Sequence, residues 1–221
     1  MDIREKIQNR SAKVGVVGLG YVGLPLAVLQ AKTGFHVFGV DEVPAKVEMV
    51  NQANNYILDV DDAELREVVD QKRLEATTDF SVLQQCDVIL ICVPTPLTRN
   101  KEPDISAIVK VLGYLANYAH PNMLVVLEST TYPGTTEEVI LPALTAKGFT
   151  PGKDLFVAFS PERVDPGNPE FKTHNTFKLV GGVTEGCQEV SKLFYEQSIV
   201  KVFSLSSPRV AEMAKVFENV F

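Results

Sequence analysis

Short apolar runs alternate with helix-like segments along the whole of this chain, and that alternation leaves few architectures open to it. Residues 13–18 (KVGVVG), 37–40 (VFGV), 88–93 (VILICV), 124–127 (LVVL), 155–159, 177–180 and 200–203 read as strands. They are β-branched and almost continuously apolar, as strands buried on both faces of a parallel sheet are. Between them, 21–32, 43–53, 61–72, 105–119, 135–146 and 184–197 carry apolar residues at helical spacing. Ser207 followed by Pro208 signals the start of a last helix over 208–221. Strand–helix alternation implies right-handed crossovers and an α/β fold, a doubly wound parallel sheet of Rossmann type.

The turn after the first run reads Gly18-Leu19-Gly20-Tyr21-Val22-Gly23. It leaves a strand and opens a helix, the context in which a GxGxxG pattern carries meaning. Gly18 makes the tight turn, Gly20 lets backbone approach a pyrophosphate, and Gly23 lets helix and strand pack closely. The helix N-terminus at Tyr21 and Val22 offers free N–H groups and the positive end of the dipole to phosphates. The pattern alone also fits a glycine-rich turn with no ligand. Asp41 is the second feature: it ends the second strand 23 residues after Gly18, where an acid binds the adenosine ribose hydroxyls. A 2′-phosphate there would meet Asp41 and Glu42. Like charges ~4 Å apart at an effective dielectric of about 20 repel by roughly 4 kcal/mol. No Arg stands beside them, and the nearest cation downstream is Lys46, which belongs with the cofactor residues. The expected cofactor is NAD rather than NADP, with FAD, whose binders share the fingerprint, as the alternative.

Further polar stretches follow other strands. Cys92-Val93-Pro94-Thr95-Pro96 puts Val93, Pro94 and Thr95 outside a strand end, where ligands of such sheets bind; a proline-ordered loop with a solvated Thr95 fits the spacing equally well. Glu128-Ser129-Thr130-Thr131 and Ser160-Pro161-Glu162-Arg163 lie on that same sheet edge. Lys215 and Asn219, four apart, share one face of the last helix. Together they make a candidate site. Plainer readings stand beside it: Thr130 caps the helix after Pro133, Glu162 and Arg163 form a surface pair, and Lys215 is a solvated helix lysine.

Charge and cysteine content exclude other classes. A net charge of −7 with no long basic run argues against a nucleic-acid partner. Cys86, Cys92 and Cys187 are odd in number and widely spaced, which disfavours both zinc and a disulfide framework and suits a reducing compartment. The start, MDIREKIQNRSAK, lacks the apolar core of a signal peptide. The longest apolar stretch, 88–93, falls far short of the roughly 20 residues that cross a bilayer. The expectation is a cytoplasmic protein with no membrane partner.

Five ordered segments carry a family resemblance: GLGYVGLPLA (18–27), VPTP (93–96), ESTTYPGT (128–135), SPERVDPGN (160–168) and EMAKVFEN (212–219). In order and spacing the chain resembles the UDP-glucose/GDP-mannose dehydrogenase family, and SPERVDPGN is most similar to the branch that acts on UDP-N-acetylated hexosamines. The resemblance implies oxidation of a nucleotide-sugar C6 alcohol to the carboxylate with two NAD molecules. It implies that Thr130 and Glu162 work with an ordered water in proton transfer, and that Lys215 and Asn219 hold the developing oxyanion, a task suited to preorganised donors. Glu162, Arg163, Val164, Lys215 and Asn219 would contact the UDP-sugar, and Thr95 and Thr130 would line the nicotinamide side. It further implies a cofactor domain over 1–205, a central linking helix beginning in 206–221, and a homodimer formed through that helix.

Two departures qualify it. Many members carry a second Glu where this chain has Pro166. The family's nucleophilic Cys lies in a glycine-rich motif beyond residue 221, so the chain is expected to be truncated and to bind NAD without turning over. Two other functions remain compatible with the residues: another NAD-dependent hydroxyacid or polyol dehydrogenase, and a non-catalytic NAD-sensing module.

Overall fold

A computed structural model describes residues 1–163 and 176–220, excepting the side chains of 219 and 220. In chain order the elements are α1 (Ile3–Gln8), β1 (Lys13–Val17), α2 (Gly23–Thr33), β2 (His36–Val40), α3 (Pro44–Asn51), α4 (Asp62–Asp70), β3 (Leu74–Thr77), β4 (Val88–Ile91), α5 (Ser106–Tyr118) and β5 (Met123–Leu127). A π-helical turn (Thr136–Ile140) runs into α6 (Leu141–Thr145), followed by β6 (Leu155–Phe159), β7 (Lys178–Gly182), α7 (Glu185–Tyr195), β8 (Val202–Ser204) and α8 (Pro208–Val220).

The strands form one sheet in the order β3-β2-β1-β4-β5-β6-β7-β8. β3 through β6 are parallel throughout. β7 departs from the expected parallel pattern: it runs antiparallel to β6, through Ala158 opposite Gly182 and Phe159 opposite Gly181. Every residue of β4, β5 and β6 is buried. Alternation of side chains along each strand splits the core into two layers. Val14, Val16, Leu90, Val126 and Phe156 face one layer, under α1, α2 and α7. Val17, Ile91, Val125, Leu127 and Phe159 face the other, with Ile108 and Leu115 of α5 and Leu144 of α6.

Two elements have no counterpart among the expected segments. α1 buries Ile3 and Ile7 completely, four apart on one helix face, against α7. β3 is a short edge strand with Glu75 exposed between the buried Leu74 and Ala76. Among the described residues no helix is long and apolar enough to cross a membrane.

Strand order places the site. The sheet grows outward in opposite directions from β1 and β4, and ligands of such sheets bind in the crevice at that switch point. The parallel strands β1, β2, β4, β5 and β6 deliver Gly18, Asp41, Cys92, Glu128 and Ser160 to one edge.

Candidate cofactor cleft and adjoining polar cluster

The glycine turn is built as the sequence requires. Gly18 adopts φ +94°, and a Cβ there would stand 2.6 Å from the Cys92 carbonyl oxygen. A Cβ on Gly23 would come within 1.7 Å of the Gly18 oxygen, so its absence lets α2 lie against β1. Gly20 differs: a Cβ there meets nothing within 4 Å, and its φ lies outside the left-handed region. Protein packing does not demand a glycine at Gly20, whose backbone is open to the cleft. Val22 occupies the N-cap of α2 and makes no side-chain cap bond, leaving the helix N-terminus to a ligand. Tyr56 closes the turn from outside by donating its hydroxyl to the Leu19 carbonyl at 2.7 Å. Burial, then the charge of Asp41, pushes its phenol pKa up.

Asp41 is almost wholly buried. Its Oδ2 accepts from the Leu19 N–H at 2.8 Å and its Oδ1 from the Val43 N–H at 2.9 Å. Lys46 Nζ lies 3.1 Å from Oδ2, and Lys110 Nζ lies 2.5 Å from Glu42 Oε1. Each acid therefore has its own lysine, which offsets part of the like-charge repulsion expected against a 2′-phosphate, and Asp41 is held in place by two backbone amides.

A cleft of about 550 Å³ opens between this turn and the loops after β4 and β5. Gly18, Gly20, Tyr21, Val22, Asp41, Lys46, Val93, Pro94, Thr95 and Thr130 line it; Gly23, expected beside them, lies behind as a packing residue. Thr95 donates its hydroxyl to the Thr130 carbonyl at 2.5 Å, tying the two loops. Thr130 is exposed and caps no helix; the π-helical turn begins after Thr135 without a side-chain cap.

At the Thr130 end lies a cluster that sequence reasoning did not assemble. Lys178, only 4% exposed in its side chain, donates to Glu128 Oε2 at 2.7 Å and to Glu162 Oε2 at 3.2 Å. Tyr195 donates its hydroxyl to the other Glu128 oxygen. Burial opposes the ammonium, but the carboxylates of Glu128 and Glu162 outweigh it and hold the Lys178 pKa above the ordinary lysine value. Burial likewise raises the Glu128 carboxyl against the pull of Lys178. One lysine thus joins the loops after β5 and β6.

Glu162 and Arg163 are not a surface pair. Glu162 turns inward to Lys178, whereas Arg163 stacks 4.1 Å over Phe177 and donates from Nε to Glu218 of α8 at 2.9 Å. Lys215 is half-buried on α8, and it lines no part of the cleft among the described residues. Val164, Pro166 and the side chain of Asn219 lie outside the described residues. The three cysteines are free and buried. Burial, with Glu128 next, raises the Cys92 thiol far above its usual range, which is the setting of an inert thiol.

Residues 12–199 match the model of the UDP-glucose/GDP-mannose dehydrogenase family, NAD binding domain. The chain belongs to that family. This NAD-binding domain is 38% identical over 212 residues to UDP-N-acetyl-D-glucosamine 6-dehydrogenase of Pseudomonas aeruginosa, covering 95% of this chain and 49% of that protein. It is 32% identical over 210 residues to UDP-N-acetyl-D-mannosamine dehydrogenase of Pyrococcus horikoshii, covering 95% and 50%. The solved structure of the UDP-N-acetyl-mannosamine dehydrogenase Cap5O from Staphylococcus aureus superposes with a TM-score of 0.86 at 30% identity, over 94% of this chain and 50% of that one. The chain spans about half the length of the relatives it matches. The cofactor of the family domain is NAD, and the residues fit it: Gly20 leaves room for a diphosphate, the N-terminus of α2 has no side-chain cap, and Asp41 is aimed by two amides.

Proposed function

We propose that this chain is the cofactor-binding part of an NAD-dependent nucleotide-sugar 6-dehydrogenase that oxidises the C6 alcohol of a UDP-N-acetylhexosamine to the carboxylate, consuming two NAD. The observation that carries the reading is the meeting of the NAD cleft with Glu128, Lys178 and Glu162 at its Thr130 end. The relatives named as UDP-N-acetyl-D-glucosamine and UDP-N-acetyl-D-mannosamine dehydrogenases support the sugar class.

Bound NAD supplies the hydride acceptor. Thr130, its carbonyl held by Thr95, presents its hydroxyl beside the nicotinamide end and, with Glu162, handles the proton through a water. Lys178 keeps Glu162 at the junction of the two loops. Lys215 and Asn219 supply donors for the oxyanion, whose charge exists only in the transition state. Arg163 and Val164 contact the sugar nucleotide. Residues 1–205 form the cofactor domain, and 206–221 begin a linking helix through which the full-length, cytoplasmic protein pairs as a homodimer. Cys86, Cys92 and Cys187 are all buried, so the 221 residues present no accessible thiol nucleophile and bind NAD without sustained turnover.

The test is NADH formation by the full-length protein across UDP-N-acetylhexosamines, UDP-glucose, hydroxyacids and polyols. The expected result is two NADH per sugar with a UDP-N-acetylhexosamine. NADH from a hydroxyacid or polyol alone overturns the substrate class. An unchanged rate after Lys215→Ala and Asn219→Ala overturns their roles, and steady NADH from the 221-residue chain overturns its predicted inactivity.

A further inference from the structure

We propose that Glu212 is a positioning residue: its carboxylate locks the helix bearing Lys215 to the loop bearing Thr130. This rests on the reading of Lys215 given above. Glu212 is fully buried on α8 beside the equally buried Ala211, while Met213 and Phe217 on the same helix are exposed. A carboxylate leaves water only where donors replace it, and here three do so. Oε1 accepts from the Thr136 N–H at 2.9 Å and from the Thr136 hydroxyl at 2.7 Å; Oε2 accepts from the Gly134 N–H. Among the described residues no ion pair reaches it.

Those donors stand at the start of the π-helical turn, whose own N-cap, Thr135, makes no side-chain cap bond. Glu212 caps it from another element, with its charge at the positive end of the helix dipole. The loop is shaped for this. Gly134 takes φ +110°, where a Cβ would also stand 2.7 Å from Glu138 Oε1. Upstream, the Thr131 and Thr135 hydroxyls bond at 2.7 Å, and the Thr95 hydroxyl holds the Thr130 carbonyl. From Thr130 to Thr136 the loop is fastened at both ends, and Glu212 is its attachment to α8.

The spacing 212, 215, 219 places these residues on one helical stripe. At 1.5 Å per residue, Lys215 follows Glu212 by about 4.5 Å along the axis and Asn219 by about 10 Å. Fixing Glu212 therefore fixes both the rotation and the height of that stripe against the Thr130 loop. Arg209 also spans the gap, to Glu137 and Glu138, but it is exposed, where water competes.

The experiment uses the full-length enzyme carrying Glu212→Ala, Lys215→Ala and both together, with kcat, sugar KM and NAD Kd measured for each. Misplacing a reacting group by about 1 Å costs on the order of 100-fold in rate. The expected result is a kcat loss of roughly 10- to 100-fold for Glu212→Ala, with KM and Kd little changed, and a double variant no slower than Lys215→Ala. Glu212→Gln keeps the shape and one acceptor, so it loses less, and it replaces the alanine variant should that one fail to fold. Losses that multiply in the double variant, or a Glu212 variant at full kcat, overturn the proposal while leaving Lys215 catalytic. Full activity in Lys215→Ala overturns both this proposal and the reading beneath it.

Discussion

Exchanging Gly20 and Gly23 for alanine, one at a time, separates a glycine that packing requires from one that a ligand requires. At Gly23 the new methyl would sit 1.7 Å from the Gly18 oxygen, a backbone atom that cannot rotate aside. Overpacking of a well-filled site costs typically 1–3 kcal/mol, and a backbone obstacle belongs at the upper end, about 3 kcal/mol. For a chain of this size each kcal/mol lowers Tm by about 2–4 °C, so Gly23→Ala is expected to melt roughly 6–12 °C early. At Gly20 the methyl meets no protein atom within 4 Å, so Tm should stay within about 1 °C. The methyl then projects toward the diphosphate, and the same 1–3 kcal/mol appears as roughly 5- to 150-fold weaker NAD binding. Thermal melting by circular dichroism without NAD, paired with isothermal titration of NAD, reads both quantities. A Gly20→Ala protein that melts as low as Gly23→Ala, or binds NAD like the parent, refutes the assignment of Gly20 to the cofactor.

Other perturbations probe the rest of the site. Lys178→Met strands Glu128 and Glu162 without their shared cation, which costs about 3–5 kcal/mol and should lower Tm by roughly 6–20 °C; an unchanged melting point would show that the cluster is not ionised as described. Thiol chemistry should be slow in the folded chain at pH 8. Burial pushes the Cys86 thiol up to about 12 and the Cys92 thiol well above its usual range, so both stay protonated as pH rises through 8; rapid modification of either, compared with the denatured chain, contradicts this. Asp41→Ala removes the acceptor for the Leu19 and Val43 amides and the partner of Lys46. It should weaken NAD binding and narrow the preference over NADP, because Lys46 is then free to meet a 2′-phosphate; an unchanged ratio of the two Kd values sinks that account.

What could be read from the sequence was what is local in sequence. The buried strands announced themselves by unbroken apolar runs, and Gly18, Gly20 and Asp41 by a turn signature and a spacing that a single crossover sets. Strand-end loops could be placed on one edge because parallel connection leaves no other choice. The misses are tertiary. α1 is hidden because Ile3 and Ile7 stand among charges and find α7 far along the chain. β3 has only four residues, and β7 reverses direction after a segment whose pattern says nothing about its return. Glu162 and Arg163, adjacent in sequence, were readable as a pair only until Lys178 and Glu218 arrived from other elements. Nothing around Lys178 or Tyr195 signals that each reaches Glu128, 50 and 67 residues away.

The claim on which the account turns is that the strand-end cleft holds NAD with its diphosphate over Gly20 and its nicotinamide toward Thr130. A crystal structure of the 221-residue chain grown with NAD tests it directly. The diphosphate is expected on the N-terminus of α2, the ribose hydroxyls on Asp41 and the nicotinamide ring beside Thr95 and Thr130. NAD bound in the reverse direction, or on any other face of the sheet, would contradict it.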